Sequence, residues 1–146
     1  RLAESVLEKI ESVLGKKGKA WTKTSRLPGG DFEPLAFDAE ARRLGMDYAD
    51  LPQGLTRRLM RLYGTKARNL LGTAKSIAEL GQHFGADLYA AEVDYLVANE
   101  WARTAQDVLW RRTKLGLRVS GGEVAALEDY MALVGPNHIP PDRPVG

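Results

Sequence analysis

The feature that most restricts the fold of this 146-residue chain is a punctuation that recurs along its second half. Three segments open with a hydroxyl residue followed three positions later by a carboxylate: Ser76 and Glu79, Thr104 and Asp107, Ser120 and Glu123. At that spacing each side chain satisfies a backbone N–H that the start of a helix leaves unpaired. Each segment then closes on a glycine, at Gly81, Gly116 and Gly135, a residue that takes the left-handed conformation of a helix end without steric penalty. Helices delimited this closely are short. No segment alternates apolar and polar residues between hairpin turns, so the fold expected is all-α.

Between these stops the apolar residues fall at helical spacing. Leu2, Val6, Leu7, Ile10, Val13 and Leu14 recur at threes and fours, which predicts an amphipathic helix ended by Gly15. Residues 15–35, with lysines among glycines and the turn residues Pro28, Gly29, Gly30 and Asp31, read as a loop. A loop that long is unusual inside one domain and places a boundary near Pro28. Helical spacing resumes at Asp38 through Ala41, Leu44 and Tyr48. From Pro52 to Tyr63 it sets Leu55, Leu59, Met60 and Tyr63 on one side and Arg57, Arg58 and Arg61 on the other, with Gly64 as the stop. Thr65 is placed to cap a short helix carrying Ala67, Leu70 and Leu71. The strongest periodicity runs from Asp87 to Trp101, with Tyr89, Val93, Leu96, Val97 and Trp101 on one stripe and Asp87 where a carboxylate favours a helix start. A helix from Thr104 to Leu115 ends in Arg111, Arg112 and Lys114, and the last helix carries Leu127, Tyr130, Met131 and Val134. The expectation is a compact bundle of about six or seven short helices, preceded by one helix and a linker.

Composition agrees with one globular domain: 44% of residues are hydrophobic and 27% charged. There is no cysteine, hence no disulfide, and no run near the ~20 apolar residues of a membrane-spanning helix. No charged-then-apolar leader opens the chain. It begins on Arg1 rather than Met, and is expected to be an excised piece of a longer protein. The net charge of +2 hides an asymmetry, +5 in residues 1–73 and −3 in residues 74–146, too small to mark a phosphate-tracking surface.

Catalytic chemistry finds few candidates. His83 and His138 stand apart and lack the convergent partners that zinc requires. Gly29 and Gly30 precede Asp31 and Phe32 rather than a phosphate-binding helix start, and no nucleophile elbow is present. Arg57, Arg58 and Arg61, and the basic run around Trp110, have the composition of a nucleic-acid contact, but their placement on polar helix faces reads better as a solvated or salt-bridged surface. Trp101 and Trp110 read as core. No catalytic, cofactor-binding or metal-binding residue is therefore expected within the chain, and no nucleic acid is expected as a partner.

The stretch from Ala91 to Leu117, with its core Glu100-Trp101-Ala102-Arg103-Thr104 and Arg111-Arg112-Thr113-Lys114-Leu115-Gly116, closely resembles the C-terminal domain of the aerobic, FAD-dependent glycerol-3-phosphate dehydrogenases. Leu27-Pro28-Gly29-Gly30-Asp31-Phe32 looks like that family's connector from the flavin domain. Tyr63-Gly64, Leu70-Leu71 and Leu88-Tyr89 agree, and the likeness weakens after about Gly122.

The resemblance implies that residues 1–26 are the last helix of a flavin domain plus linker, 27–135 the helical C-terminal domain, and 136–146 an irregular tail. It also implies that the FAD and the groups that bind glycerol phosphate lie upstream. For the intact enzyme it implies hydride transfer from C2 of sn-glycerol 3-phosphate to the flavin, giving dihydroxyacetone phosphate, with electrons passed to a membrane quinone. It implies a cytoplasmic location at the periphery of the inner membrane, an upstream FAD domain as partner in cis, and a possible homo-oligomer. The oxidase branch of the family and a helical interaction or dimerisation module are the alternatives. Within the domain, Glu100, Thr104, Asp107, Arg111, Arg112, Thr113 and Lys114 are expected to form a cap and charge network that fixes the angle between two helices, with Trp101 and Trp110 closing the core between them.

Overall fold

The computed structural model describes residues 2–15 and 18–134. Its regular structure is helical, and among the described residues the only strand-like pairing is an isolated bridge between His83 and Tyr89. Helix α1 spans Leu2–Leu14. A turn at Pro34–Ala36 runs into α2, Phe37–Asp47, and α3 follows at Gln53–Tyr63. A short α4, Ala67–Leu71, and a 3-10 turn at Ile77–Leu80 lead to α5, Ala90–Glu100. Then come a π-helical segment, Asp107–Arg112, a 3-10 turn at Leu115–Leu117, and α6, Gly121–Val134. The expected helical class and its many short elements are borne out.

The core gathers on α3 and α5. The predicted face of α3 is buried at Leu55, Leu59, Met60 and Tyr63, and α2 packs Ala41 and Leu44 against it. Helix α5 is enclosed through its first turn, where Ala90, Ala91, Glu92 and Val93 are all buried. Phe84 and Leu88, on the loop that enters α5, are fully buried, and Phe84 lies 5.0 Å from the ring of Tyr130 on α6. Tyr130 hands its hydroxyl proton toward Asp94 Oδ1 at 2.8 Å, which fixes α6 to α5.

Two tryptophans depart from the expected core. Helix α5 stops one residue before Trp101, which adopts a left-handed conformation (φ 57°), and both Trp101 and Ala102 donate their backbone N–H to Leu96 O. The chain turns at this point, so Ala102 takes the buried position and Trp101 is 82% exposed. Trp110 sits in the π-helical segment, whose wider turn breaks the 3.6-residue register that would have aligned it with the stripe. Val108 and Leu109 point inward instead, and Trp110 lies 41% exposed over Gly116. For the same reason the helix predicted up to Gly116 ends at Arg112, and the left-handed residue there is Lys114.

Two other local expectations are corrected. Asp87 precedes α5 rather than starting it, and Thr65 does not cap α4: its hydroxyl donates to Asp31 Oδ2 at 2.7 Å. That bond belongs to a close backbone crossing. Thr65 N donates to Gly29 O at 3.0 Å, and Gly29 (φ 84°) and Gly64 (φ 55°) approach so closely that a side chain on either would overlap the other's strand of chain. The segment around Pro28 is thus locked onto the α3–α4 junction. The stop predicted at Gly135 lies outside the described residues, as do His138 and the tail.

Gly64→Ala forces a β-carbon into the Gly29 carbonyl and a non-glycine residue into an unfavourable conformation. It is expected to destabilise the domain by about 3 kcal/mol. Urea denaturation checks this, and an unchanged midpoint would contradict the crossing.

Candidate functional site

Two clusters of charged residues have the density of a functional site. The first lies between α3 and α5. A glutamate on the apolar stripe of α5 has to meet a cation or be neutralised, because burying a bare carboxylate costs several kcal/mol. Glu92 is 1% exposed and meets Arg58, which donates Nη1 to Oε1 at 2.9 Å and Nη2 to Oε2 at 2.6 Å. Tyr63 donates its hydroxyl to Glu92 Oε1 at 2.7 Å, and Arg58 Nη2 reaches Asp87 O at 2.7 Å. Burial, reinforced by the Glu92 charge, pushes the Tyr63 phenol far up, so it remains a neutral donor. Burial works against the Arg58 guanidinium, but its bonds and charge pairing with Glu92 outweigh that and raise its pKa.

This cluster is closed. Both Glu92 oxygens are occupied and the Tyr63 ring is packed edge-on against Tyr95 at 5.3 Å. Arg58 Nε, buried 3.8 Å from Asp87 Oδ2, is the one buried side-chain polar atom among the described residues without a hydrogen bond. A substrate would have to break the pair to reach it. The cluster is a clamp between helices: Arg58 is salt-bridged, one of the two outcomes expected of its face, but in the interior rather than at a polar surface. Arg57 keeps that expectation, pairing with Asp38 at 2.7 Å over the ring of Phe37.

The second cluster is the expected network between α5 and the π-helical segment. Asp107 Oδ2 accepts the backbone N–H of Arg103 and of Thr104 and the Thr104 hydroxyl, each at 3.0 Å, while Asp107 N donates back to Thr104 Oγ1 at 3.2 Å. Arg111 closes the group on Asp107 Oδ1 at 2.7 Å. These bonds, with the Arg103 N–H foremost, hold the Asp107 carboxyl down at about 2. Arg112 turns the other way and donates Nε and Nη2 to Glu100 O at 3.0 and 2.7 Å, tying the end of α5 to the segment. Thr113 donates to Val108 O at 2.7 Å, and Lys114 Nζ bonds Trp110 O. The residues named from the sequence do meet: besides the Glu100 backbone carbonyl, Arg112 pairs with the Glu100 carboxylate at 3.9 Å.

Neither cluster contains a nucleophile next to a base. Among the described residues no three His, Asp or Glu side chains converge as metal ligands. His83 is occupied by Ala86 O at 2.9 Å and by the Tyr89 ring at 4.8 Å. The partnership of Glu92 was missed in the sequence, although its place three residues after Tyr89 and four before Leu96 puts it on the buried stripe, where only a paired carboxylate is tolerated.

A family model described as the C-terminal domain of alpha-glycerophosphate oxidase matches residues 20–138. The chain belongs to this family. Among its relatives, a glycerol-3-phosphate dehydrogenase of Pseudomonas aeruginosa is 42% identical over 131 residues, covering 90% of this chain and 25% of that protein. The aerobic glycerol-3-phosphate dehydrogenase of Escherichia coli is 41% identical, covering 90% of this chain and 26% of the relative. A D-erythritol 1-phosphate dehydrogenase of Brucella abortus is 37% identical over 129 residues, 26% of its length. The chain therefore spans about a quarter of the length of the curated relatives it matches.

The depressed Asp107 carboxyl has a definite consequence for stability. Its folded-state pKa of about 2 lies below the ordinary 3.8, so its contribution is complete above that ordinary value and is lost as pH falls through the interval between the two. The Glu123 carboxyl, held down by the Ser120 backbone N–H, acts in the same direction. Melting temperature is expected to fall between about pH 4 and pH 2, and Asp107→Asn to flatten that fall. Thermal scans across pH check both.

Proposed function

We propose that this chain is the accessory helical domain of an FAD-dependent glycerol-3-phosphate dehydrogenase, and that it supplies no catalytic or cofactor-binding group of its own. One observation carries the reading: the chain is matched over nine-tenths of its own length and over only a quarter of relatives named for oxidising polyol phosphates. Those relatives are named for two different substrates, glycerol 3-phosphate and D-erythritol 1-phosphate. A domain common to both is poorly suited to selecting between them.

The described residues do not fit FAD. A dinucleotide site places its pyrophosphate at a glycine-rich turn from strand to helix, whereas this fold has no such strand and the first turn of α5 is packed shut. In the proposed protein the preceding portion would hold the flavin, which would supply the hydride-accepting chemistry for oxidation of sn-glycerol 3-phosphate with a quinone as acceptor. The oxidase named in the family description would pass electrons to oxygen, an acceptor choice made around the flavin.

The proposed division of the chain is residues 1–26 with the flavin domain and 27–135 as the accessory domain. Two observations support it. No residue of α1 is buried, although its apolar positions are spaced to cover something, and the family match starts after α1 at residue 20. We place the intact protein on the cytoplasmic side of the membrane as a peripheral enzyme. No helix among the described residues is long and apolar enough to cross a bilayer.

Expression of this chain alone is expected to give a colourless, folded protein that does not oxidise sn-glycerol 3-phosphate, while the full-length protein is yellow and does. Flavin absorbance and dye-reduction assays check this. A flavin-loaded fragment, or a full-length protein inert toward glycerol 3-phosphate, would overturn the reading.

A further inference from the structure

Two helices that pack together carry no cation between them. Helix α5 holds Glu92, Asp94 and Glu100, and α6 holds Glu123, Glu128 and Asp129, with no Lys, Arg or His in either. Arg58 and Arg112 reach Glu92 and Glu100 from other elements. The carboxylates of α6 have no such relief: Glu128 and Asp129 are exposed, and no ion pair engages either. The two helices are pinned by the Tyr130 hydroxyl, which donates to Asp94 Oδ1 at 2.8 Å, and Asp129 is the residue next to Tyr130 in the chain. The pin thus joins two negatively charged elements, and like charges on neighbouring faces oppose each other's approach.

The apolar anchorage of α6 is thin as well. Of its fourteen residues only Leu127 and Met131 are buried, against five of eleven in α3 and six of eleven in α5. Helix α2 also buries two, but opposite charges hold it, Asp38 on Arg57 of α3 and Asp47 on Arg68 of α4. At the start of α6, a β-carbon on Gly121 or Gly122 would meet no atom within 4 Å, and the Glu123 carboxylate then lies against Gly85. Beyond that contact the helix rests on its two buried side chains, the Tyr130 hydroxyl and the packing of the Tyr130 ring on Phe84.

We infer that α6 is a releasable strap whose hold is set by ionic strength. It leaves the domain as a unit while the core from α2 to α5 stays folded, and its release bares Phe84 together with Leu127 and Met131. Partial opening runs through the element with the fewest buried groups, before the global transition. Dissolved salt screens exposed charges far more than buried ones, so it relieves the repulsion across the α5–α6 seam and leaves the sealed Arg58–Glu92 pair almost untouched. The strap therefore tightens as ionic strength rises, and the core does not.

Hydrogen exchange on the full-length protein, read by mass spectrometry for residues 121–134 and 53–63, tests this. At low salt the α6 amides are expected to exchange about tenfold or more faster than those of α3. Raising NaCl from about 0.01 M to about 1 M shortens the screening length from about 30 Å to about 3 Å and is expected to slow α6 about threefold, with α3 unchanged. Glu128→Gln with Asp129→Asn, two exposed positions whose neutralisation leaves the fold intact, is expected to give that slowing at low salt and to abolish the response to NaCl. Tyr130→Phe is expected to speed α6 exchange about tenfold, the effect of losing one hydrogen bond to a charged group, again without moving α3. Exchange of α6 in step with α3, an α6 rate indifferent to salt, or a neutralised variant that keeps the salt response would each overturn the inference.

Discussion

A carboxylate buried in the middle of the fold governs the rest of it. Glu92 sits in the enclosed first turn of α5, where the bidentate Arg58 and the Tyr63 hydroxyl engage both its oxygens. The pair sets α3 against α5 at one register, because a shift of one turn would leave a charge without its partner. Through Arg58 Nη2 on Asp87 O it also fixes the loop on which Phe84 and Leu88 enter the core. Buried pairs of this kind add little net stability over well-packed apolar residues, but they penalise alternatives heavily. Helices as short as α4 have little stability of their own, so a device that selects one packing fits this fold.

Much of this was legible in the sequence, for reasons that differ between elements. The capping boxes at Thr104 and Ser120 are local chemistry, readable because both partners lie within one turn, and both form as expected. The buried face of α3 was readable because its period of 3.6 is unbroken. Trp101 and Trp110 were misread because periodicity assumes a continuous α-helix, whereas one lies beyond a left-handed stop and the other in a π-helical turn. The Arg58–Glu92 pair spans 34 positions, a separation that no local pattern encodes. The crossing of Gly29 and Gly64 was hidden similarly: each glycine was read as a separate turn, and their meeting is a tertiary event.

The two clusters divide the work of the domain. The one around Glu92 is sealed and holds the helices together, with every oxygen of the carboxylate engaged. The one around Asp107 is exposed and shapes the backbone, presenting Trp101 and a cationic rim from a segment whose geometry costs energy to maintain. Neither offers a free base beside a nucleophile. That division suits a domain that serves as an appendage, since the chain matches only about a quarter of the length of its curated relatives.

The fold depends most directly on the coupling between Arg58 and Glu92, which a double-mutant cycle measures. Arg58→Met and Glu92→Leu are each expected to cost about 3–5 kcal/mol in chemical denaturation, since each leaves a buried charge alone. The double variant is expected to cost less than either single change, because both charges are then gone. Additive losses, or single losses below about 1 kcal/mol as for an exposed pair, would contradict the clamp.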